Sequence, residues 1–386
     1  MVRLSTQIGL MILFMFIYLP SRLLSQQEPG NLDEAFTFKA SYLGDNVNNL
    51  AGGIKTGSCY LGLANFHLKF DTKKAGLWKG GQFYINAANT HGASPSAEFI
   101  GDLQVTSNIE AGNHTFIQEF WYKQALGCVD LTAGLQDLNV QFANTENGTL
   151  YLNSSFGILP TISGNIPAPI YPLTSLGFSV TWTVSEKISW NSAVYDGCPT
   201  DFDHNTYNLN WQYHTGDGLL AFSELDYSQN ILNLPGNYKI GAYSHNHWFE
   251  KSEENRDMDS ACINNYGIYA IADQMLWQKE KKSVGTFLQL GFGPTRYNQN
   301  YFYFGTGLNY HGLFKKNGND ILGLAFAVAC LKGNINSETT LELTYKTELT
   351  KHLFIQPDIQ YIINPAGIGT NLKNCLECTI RFGILI

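Results

Sequence analysis

Two pairs of residues in this sequence have the side chains of catalytic or metal sites. His245 and His247 stand two positions apart beside a charged stretch, with no third ligand at the spacing of a zinc site. Cys375 and Cys378 form a lone CxxC, without the second pair of a zinc site or the βαβ setting of a redox site. We therefore interpret these cysteines as small apolar residues or a local disulfide, and we predict no metal and no cofactor.

The sequence also lacks the motifs of other enzyme classes. The chain has no glycine-rich phosphate loop and no nucleophile elbow. Its acidic residues are scattered, and nothing selects one pair of carboxylates of the kind that a glycosidase uses. The formal net charge of −8, without a basic stripe, argues against a nucleic-acid partner. The sequence therefore predicts neither an enzyme nor a nucleic-acid-binding protein.

Polar side chains instead recur at every second position of apolar segments. Because strand side chains alternate between the two faces of a sheet, residues of one parity share a face. In segment 114–126 the apolar parity holds Phe116, Phe120 and Tyr122, and Gln118 is the exception on that face. We call the opposite parity the wet parity, because its side chains would face water. Seven residues of this parity are candidates for binding polar solutes: Glu119, Trp121, Lys123, Glu342, Asp358, Gln360 and Arg381. The alternative is that such charged side chains only keep the wall of a wide pore hydrated and bind no solute.

Strand-like segments of this kind recur from about residue 36 to the end, separated by clusters of Gly, Asn, Asp and Pro. A soluble sandwich would turn the apolar faces inward, whereas a transmembrane barrel would turn them toward lipid. The low charged fraction of 15% and the aromatic residues near segment ends favour the barrel. At about 9–11 residues for each spanning strand, the chain has room for roughly 14 to 18 strands. A barrel of that width encloses a water-filled lumen.

The first 25 residues differ from the remainder. Arg3 precedes an apolar stretch from Ile8 to Leu19, which is too short to span about 30 Å of hydrocarbon, and Pro20 ends it. These features predict a secretory signal peptide over residues 1–25. Residues 26–386 are then expected to form one all-β domain, a transmembrane antiparallel barrel.

Ordered motifs across this domain resemble the carbohydrate-selective porin family of bacterial outer membranes. No single motif is specific, but their combination in this order is. The motifs are Leu77-Trp78-Lys79-Gly80-Gly81, Ile100-Gly101-Asp102-Leu103-Gln104, Glu119-Phe120-Trp121-Tyr122-Lys123-Gln124, Ala133-Gly134-Leu135-Gln136-Asp137-Leu138-Asn139, Tyr195-Asp196-Gly197-Cys198-Pro199 and Gln356-Pro357-Asp358-Ile359-Gln360-Tyr361.

The resemblance implies a barrel of about 16 strands in the outer membrane, through which sugars diffuse without a metal, nucleotide or covalent step. The seven residues of wet parity would then line the pore. The expected partners are small sugars and outer-membrane lipids, with a homo-oligomer possible. Two departures are the terminal Ile386, where such barrels end in Phe, and the weak match between residues 200 and 340. The alternative is a secreted, soluble β-protein that binds or cleaves glycans.

Overall fold

A computed structural model describes residues 32–386 except positions 212, 214, 215, 249–261, 316, 317, 334, 335 and 370. The predicted signal peptide lies outside the described residues. The strands are β1 (Phe36–Gly53), β2 (Gly57–Asp71), β3 (Gly81–Gly92), β4 (His114–Leu126), β5 (Val129–Gln136), β6 (Ser175–Thr183), β7 (Ile188–Asp196), β8 (Leu219–Ile231), β9 (Leu234–Trp248), β10 (Cys262–Lys279), β11 (Lys282–Phe292), β12 (Asn300–His311), β13 (Asp320–Leu331), β14 (Asn336–Thr350), β15 (Leu353–Ile363) and β16 (Lys373–Leu385).

The strands form one closed antiparallel barrel in which each strand pairs with its neighbours in the chain. The seam that closes it joins β1 to β16, where Asp45 lies opposite Arg381. The predicted strand number and the antiparallel barrel are confirmed. Short helices occur before β1, at Leu32–Ala35, and between strands, at Ser96–Ile100, Leu138–Gln141, Gly148–Leu150, Ser154–Phe156 and Pro160–Ser163. In the part of the chain that the structure describes, no helix is long and apolar enough to cross a membrane.

The apolar faces of the strands point outward. Leu343 and Ile359 are 45% and 47% exposed on the outside of the barrel. Glu342 and Gln360, which are adjacent to them in the same strands, are fully buried inside it. A soluble sandwich would bury the apolar face instead, so this arrangement fits a barrel that faces lipid.

The two rims of the barrel differ in their connections. Two-residue turns at 127–128, 232–233, 280–281 and 351–352 lie on the rim where β1 begins and β16 ends. The opposite rim carries the long connections 93–113, 137–174 and 197–218. Outer-membrane barrels have short periplasmic turns and long outer loops, which identifies the first rim as periplasmic. Outward aromatic residues follow this rim as an interfacial girdle: Phe70, Phe83, Tyr122, Trp182, Trp190, Tyr227, Tyr238, Trp277, Tyr310 and Tyr345.

One segment departs from strict alternation. The register of β3 against β4 shifts between Asn86, opposite Glu119, and Ala87, opposite Ile117, which leaves Gln118 as a β-bulge. A bulge adds one residue, so the face assignment reverses across it. The prediction that Phe116 faces lipid is therefore wrong. Its side chain is buried inside the barrel, and the bulge also accounts for Gln118 on the apparently apolar face.

Two smaller expectations are also corrected at the C-terminal end. Cys375 and Cys378 are both free, and Cys375 is buried inside the barrel while Cys378 has the outward parity of β16. The local disulfide between them is therefore excluded. A proline lacks the N–H of a ladder hydrogen bond, so the sequence predicts a bulge or a strand start at Pro357. Pro357 instead lies within β15 with an unbroken register against β16, and only its pairing with β14 is interrupted.

Candidate pore lining and constriction

Two long connections from the outer rim fold back into the barrel. We name residues 93–113, between β3 and β4, the first inner segment, and residues 137–174, between β5 and β6, the second inner segment. Many of their side chains are fully buried although the segments lie outside the sheet, such as Ile100, Leu152 and Phe156. Their contacts with inward-facing strand residues show that both segments occupy the lumen. They narrow a barrel that would otherwise leave a wide channel.

The second inner segment packs against one side of the barrel through an apolar core. Its buried side chains include Leu138, Phe142, Tyr151, Phe156 and Leu159. The wall that receives them consists of aromatic and small residues rather than polar ones: Phe222, Tyr243, Tyr269, Phe287, Tyr303, Ala325, Ala327 and Ala329. Glycines and alanines in the wall leave room for these rings. A Cβ at Gly323, for example, would lie 3.0 Å from a ring carbon of Tyr151.

Glu342 accepts hydrogen bonds from the backbone of this segment. Its two carboxylate oxygens accept from the N–H groups of Leu152 at 2.6 Å and Asn153 at 3.0 Å. Gln360, on the next strand, accepts from Asn153 Nδ2 at 3.1 Å and donates to the carbonyl of Thr106 in the first inner segment at 2.8 Å. Asp358 lies beside it and accepts from Gln360 Nε2 at 3.3 Å. All three predicted residues therefore face inward, under the inner segments.

Arg381 forms a buried ion pair at the seam of the barrel. Its Nε and Nη2 donate to the two carboxylate oxygens of Asp45 at 2.7 Å each. The first inner segment completes the cluster, because Arg381 Nη2 donates to Asn108 Oδ1 at 2.9 Å and Ser107 Oγ donates to Asp45 at 2.7 Å. Asp45 is fully buried and Arg381 is 6% exposed. The pair thus joins β1 to β16 and fixes the first inner segment at that junction.

Three further carboxylates have the same role, and the sequence predictions missed them. Glu338 accepts from the backbone N–H groups of Leu103 and Gln104 at 2.8 and 2.9 Å. Glu224 accepts from Ala143 N at 2.9 Å. Asp273 accepts from the backbone of residues 146 and 147 at 3.2 and 2.9 Å. The sequence signal was their inward parity within β14, β8 and β10, but parity does not show which backbone a carboxylate will meet.

The remaining three predicted residues lie together on β4. Glu119 is 5% exposed and accepts from Trp121 Nε1 at 3.1 Å. Trp121 and Lys123 are only partly buried, and Lys123 Nζ lies 5.6 Å from the centroid of the Trp121 ring. Trp121 also stacks on Tyr84 of β3, with ring centroids 4.8 Å apart. Tyr84 was missed because its segment carries no charge beside it on the wet parity.

Burial also raises the pKa of two acidic groups within the inner segments, Asp137 and Asp102. Asp137 caps the helix Leu138–Gln141 and accepts from the N–H groups of Asn139 at 2.9 Å and Tyr171 at 3.1 Å. Burial raises the pKa of Asp137 to about 6 in spite of these bonds. Burial also raises the pKa of Asp102 well above its ordinary value, and the nearby Glu338 adds to that shift.

The sequence of this chain is similar to that of known porins. The model of the carbohydrate-selective porin family, OprB, matches residues 55–384. Porin B of Pseudomonas aeruginosa is 22% identical over an alignment of 416 positions, which covers 91% of this chain and 87% of that protein.

Solved structures show the same architecture. Pseudomonas putida OprB at high pH has a TM-score of 0.82 at 18% identity, covering 92% of this chain and 95% of that one. The low-pH structure of the same protein has a TM-score of 0.61 at 16% identity, with 92% and 94% covered. The family consists of channels rather than enzymes, and the closed barrel with lipid-facing strands fits that class. This chain belongs to the carbohydrate-selective porin family of the bacterial outer membrane.

Proposed function

We propose that sugars cross this barrel by passive diffusion along the side of the lumen that the inner segments leave open. The observation that supports this is the unequal filling of the barrel. The second inner segment packs its apolar side chains on β8 to β13. Near the periplasmic rim, inward residues of β2 to β4 remain partly exposed, among them Lys69, Tyr84, Trp121 and Lys123, whereas the outer halves of these strands bury Leu61, Ala88 and Phe116 in a second apolar cluster.

The seven predicted residues would serve this passage in three ways. Trp121 and Lys123 would contact the solute directly, since an aromatic face packs on the C–H face of a sugar ring and an ammonium donates to its hydroxyls. Glu342, Asp358, Gln360 and Arg381 are buried, so they would set the width of the passage by fixing the inner segments. Glu119 would orient the indole through its hydrogen bond.

The test is the ionic conductance of the purified protein in a planar bilayer. We expect discrete channels whose current glucose partly blocks. Liposome swelling with sugars, amino acids and inorganic anions would rank the solutes that pass. A protein that inserts in the bilayer but conducts no ions would contradict the proposal. Trp121→Ala should weaken the block by glucose by about tenfold, the loss expected for about 1.4 kcal/mol of stacking energy.

We also propose that the protein is processed on export and that copies of the chain associate. We infer that residues 1–25 are removed as a signal peptide on export, which the N-terminal sequence of protein isolated from the outer membrane would test. Association with further copies of the same chain would be tested by its sedimentation in detergent, where a monomeric mass would contradict it.

A further inference from the structure

Three inward-facing rings form a column across β2, β3 and β4. His67 Nδ1 lies 2.6 Å from the hydroxyl of Tyr84, and the two rings stack with centroids 5.9 Å apart. Tyr84 in turn stacks on Trp121. All three side chains are partly exposed in the periplasmic half of the barrel. The column therefore faces the open side of the lumen rather than the apolar core.

The free end of this column is at Trp121. Tyr84 covers one face of the indole at an interplanar angle of 25°. On the other side, the residue that pairs with Trp121 is Gly134 of β5, which has no side chain. The neighbouring strand thus places no side chain against the second face of the indole, although the Lys123 ammonium lies 5.6 Å from the ring centroid. A planar or chair-shaped ring could stack there as the next member of the column.

Lysines border this column on the same wall. Lys39 pairs with His67, and Lys69 pairs with Tyr84. Directly opposite side chains of an antiparallel pair are about 5 Å apart at Cβ, so each ammonium can reach over the adjacent ring. Lys123 lies over the Trp121 ring. Within the described part of the chain, no ion pair joins any of these three lysines to a carboxylate.

Three acids lie near this border, and none of them is the cross-strand partner of His67, Tyr84 or Trp121. Glu119 is buried and bonded to the indole. Asp71 accepts from the backbone N–H of Lys74 in the rim turn at 3.1 Å. Asp130 lies on β5, opposite Ala125 and beyond Lys123 toward the rim. The side chains that pair directly with His67 and Tyr84 are therefore lysines, which donate hydrogen bonds and carry positive charge.

We propose that this column is a binding subsite for acidic monosaccharides, sugars whose ring carries a carboxylate. The inference rests on the proposed function, because it adds a preference to the same passage. The sugar ring would stack on the face of Trp121 that Tyr84 does not cover, and Lys123 would move aside from the indole so that it or Lys69 binds the carboxylate. A charge-assisted hydrogen bond is stronger than the neutral bond that a hydroxyl makes at the same place.

The experiment compares how glucuronate and glucose block the current of the whole protein in planar bilayers. The two sugars share a ring and differ in the carboxylate. We expect glucuronate to bind about tenfold more tightly than glucose, and we expect Lys69→Gln with Lys123→Gln to reduce that ratio below about twofold. Lys73→Gln, on the exposed turn outside the lumen, removes the same charge and should leave the ratio unchanged.

Three results would overturn the subsite. The first is a wild-type protein that glucose and glucuronate block equally, and the second is a double variant that keeps the preference. The third is a block by acetate as strong as that by glucuronate, since a bare anion site would not need the rings. All three results are distinct from failure of the proposed function, in which no sugar blocks the current at all. Tyr84→Leu, which shortens the column without changing charge, should weaken the binding of both sugars.

Discussion

Replacing Arg381 by methionine would test whether the buried ion pair stabilises both the seam and the first inner segment. The substitution keeps much of the side-chain length but leaves the fully buried carboxylate of Asp45 without its cation. Breaking a buried pair by removing one partner costs about 3–5 kcal/mol, because an uncompensated charge stays in the interior. We expect Arg381→Met to lower the free energy of unfolding by that amount.

The double variant Asp45→Leu with Arg381→Met separates the charge from the packing. Replacing a buried pair by apolar residues is often close to neutral. Ser107 and Asn108 would still each lose a hydrogen bond, at about 1 kcal/mol apiece. We therefore expect the double variant to be more stable than Arg381→Met alone, and about 2 kcal/mol less stable than the wild type.

The assay is urea unfolding of the protein in lipid vesicles, followed by tryptophan fluorescence. Current noise in planar bilayers would report release of the first inner segment in the same variants. Arg296→Met, at an exposed arginine of the 293–299 connection, is the matched control and should cost less than 1 kcal/mol. A cost below 1 kcal/mol for Arg381→Met, or a double variant as unstable as the single one, would refute the reasoning.

Three further predictions concern the inner segments. Glu342→Gln replaces one of two accepting oxygens by an amide N–H, so it should cost about 1–3 kcal/mol and increase current noise, whereas Glu280→Gln on an exposed turn should do neither. Ala327→Leu should cost about 1–3 kcal/mol by overpacking the apolar core, measured against Val328→Leu on the lipid face, which should be nearly neutral. Asp137 has a higher pKa in the folded state, about 6, than its ordinary 3.8, so the folded form binds more protons between these values and stability should fall as pH rises from about 4 to 6. Urea titrations at several pH values would show that slope, and Asp137→Asn should remove its share of it.

The sequence was most informative where strands alternate strictly. In β14 to β16 the pattern placed Glu342, Asp358, Gln360 and Arg381 on the inner face, and the structure has all four there. Period-two alternation carries this information because a strand has only two faces. It fails at Gln118, since an inserted residue reverses the faces and leaves no mark of its own in composition.

The filling of the lumen could not be predicted in the same way. The inner segments have no periodicity, and their contacts join residues that are far apart in the chain. One signal was available, the run of small residues at Gly323, Ala325, Ala327 and Ala329 on the inward parity of β13. Small residues on a wet face indicate that another part of the chain packs there, but they do not say which part.

The hydrogen bonds of the inner segments also order the assembly of the protein. Leu152 and Asn153 bond to Glu342, which is 190 positions from Leu152 in the chain, and Thr106 and Asn108 bond to Gln360 and Arg381. Contacts between such distant residues form slowly, because the chain must first close long loops. The two segments can reach their final positions only after β14 to β16 have joined the sheet. The narrowing of the lumen by the inner segments is therefore completed last. A barrel whose β1–β16 seam is still open would be incomplete in the membrane, and it would not yet restrict which solutes pass.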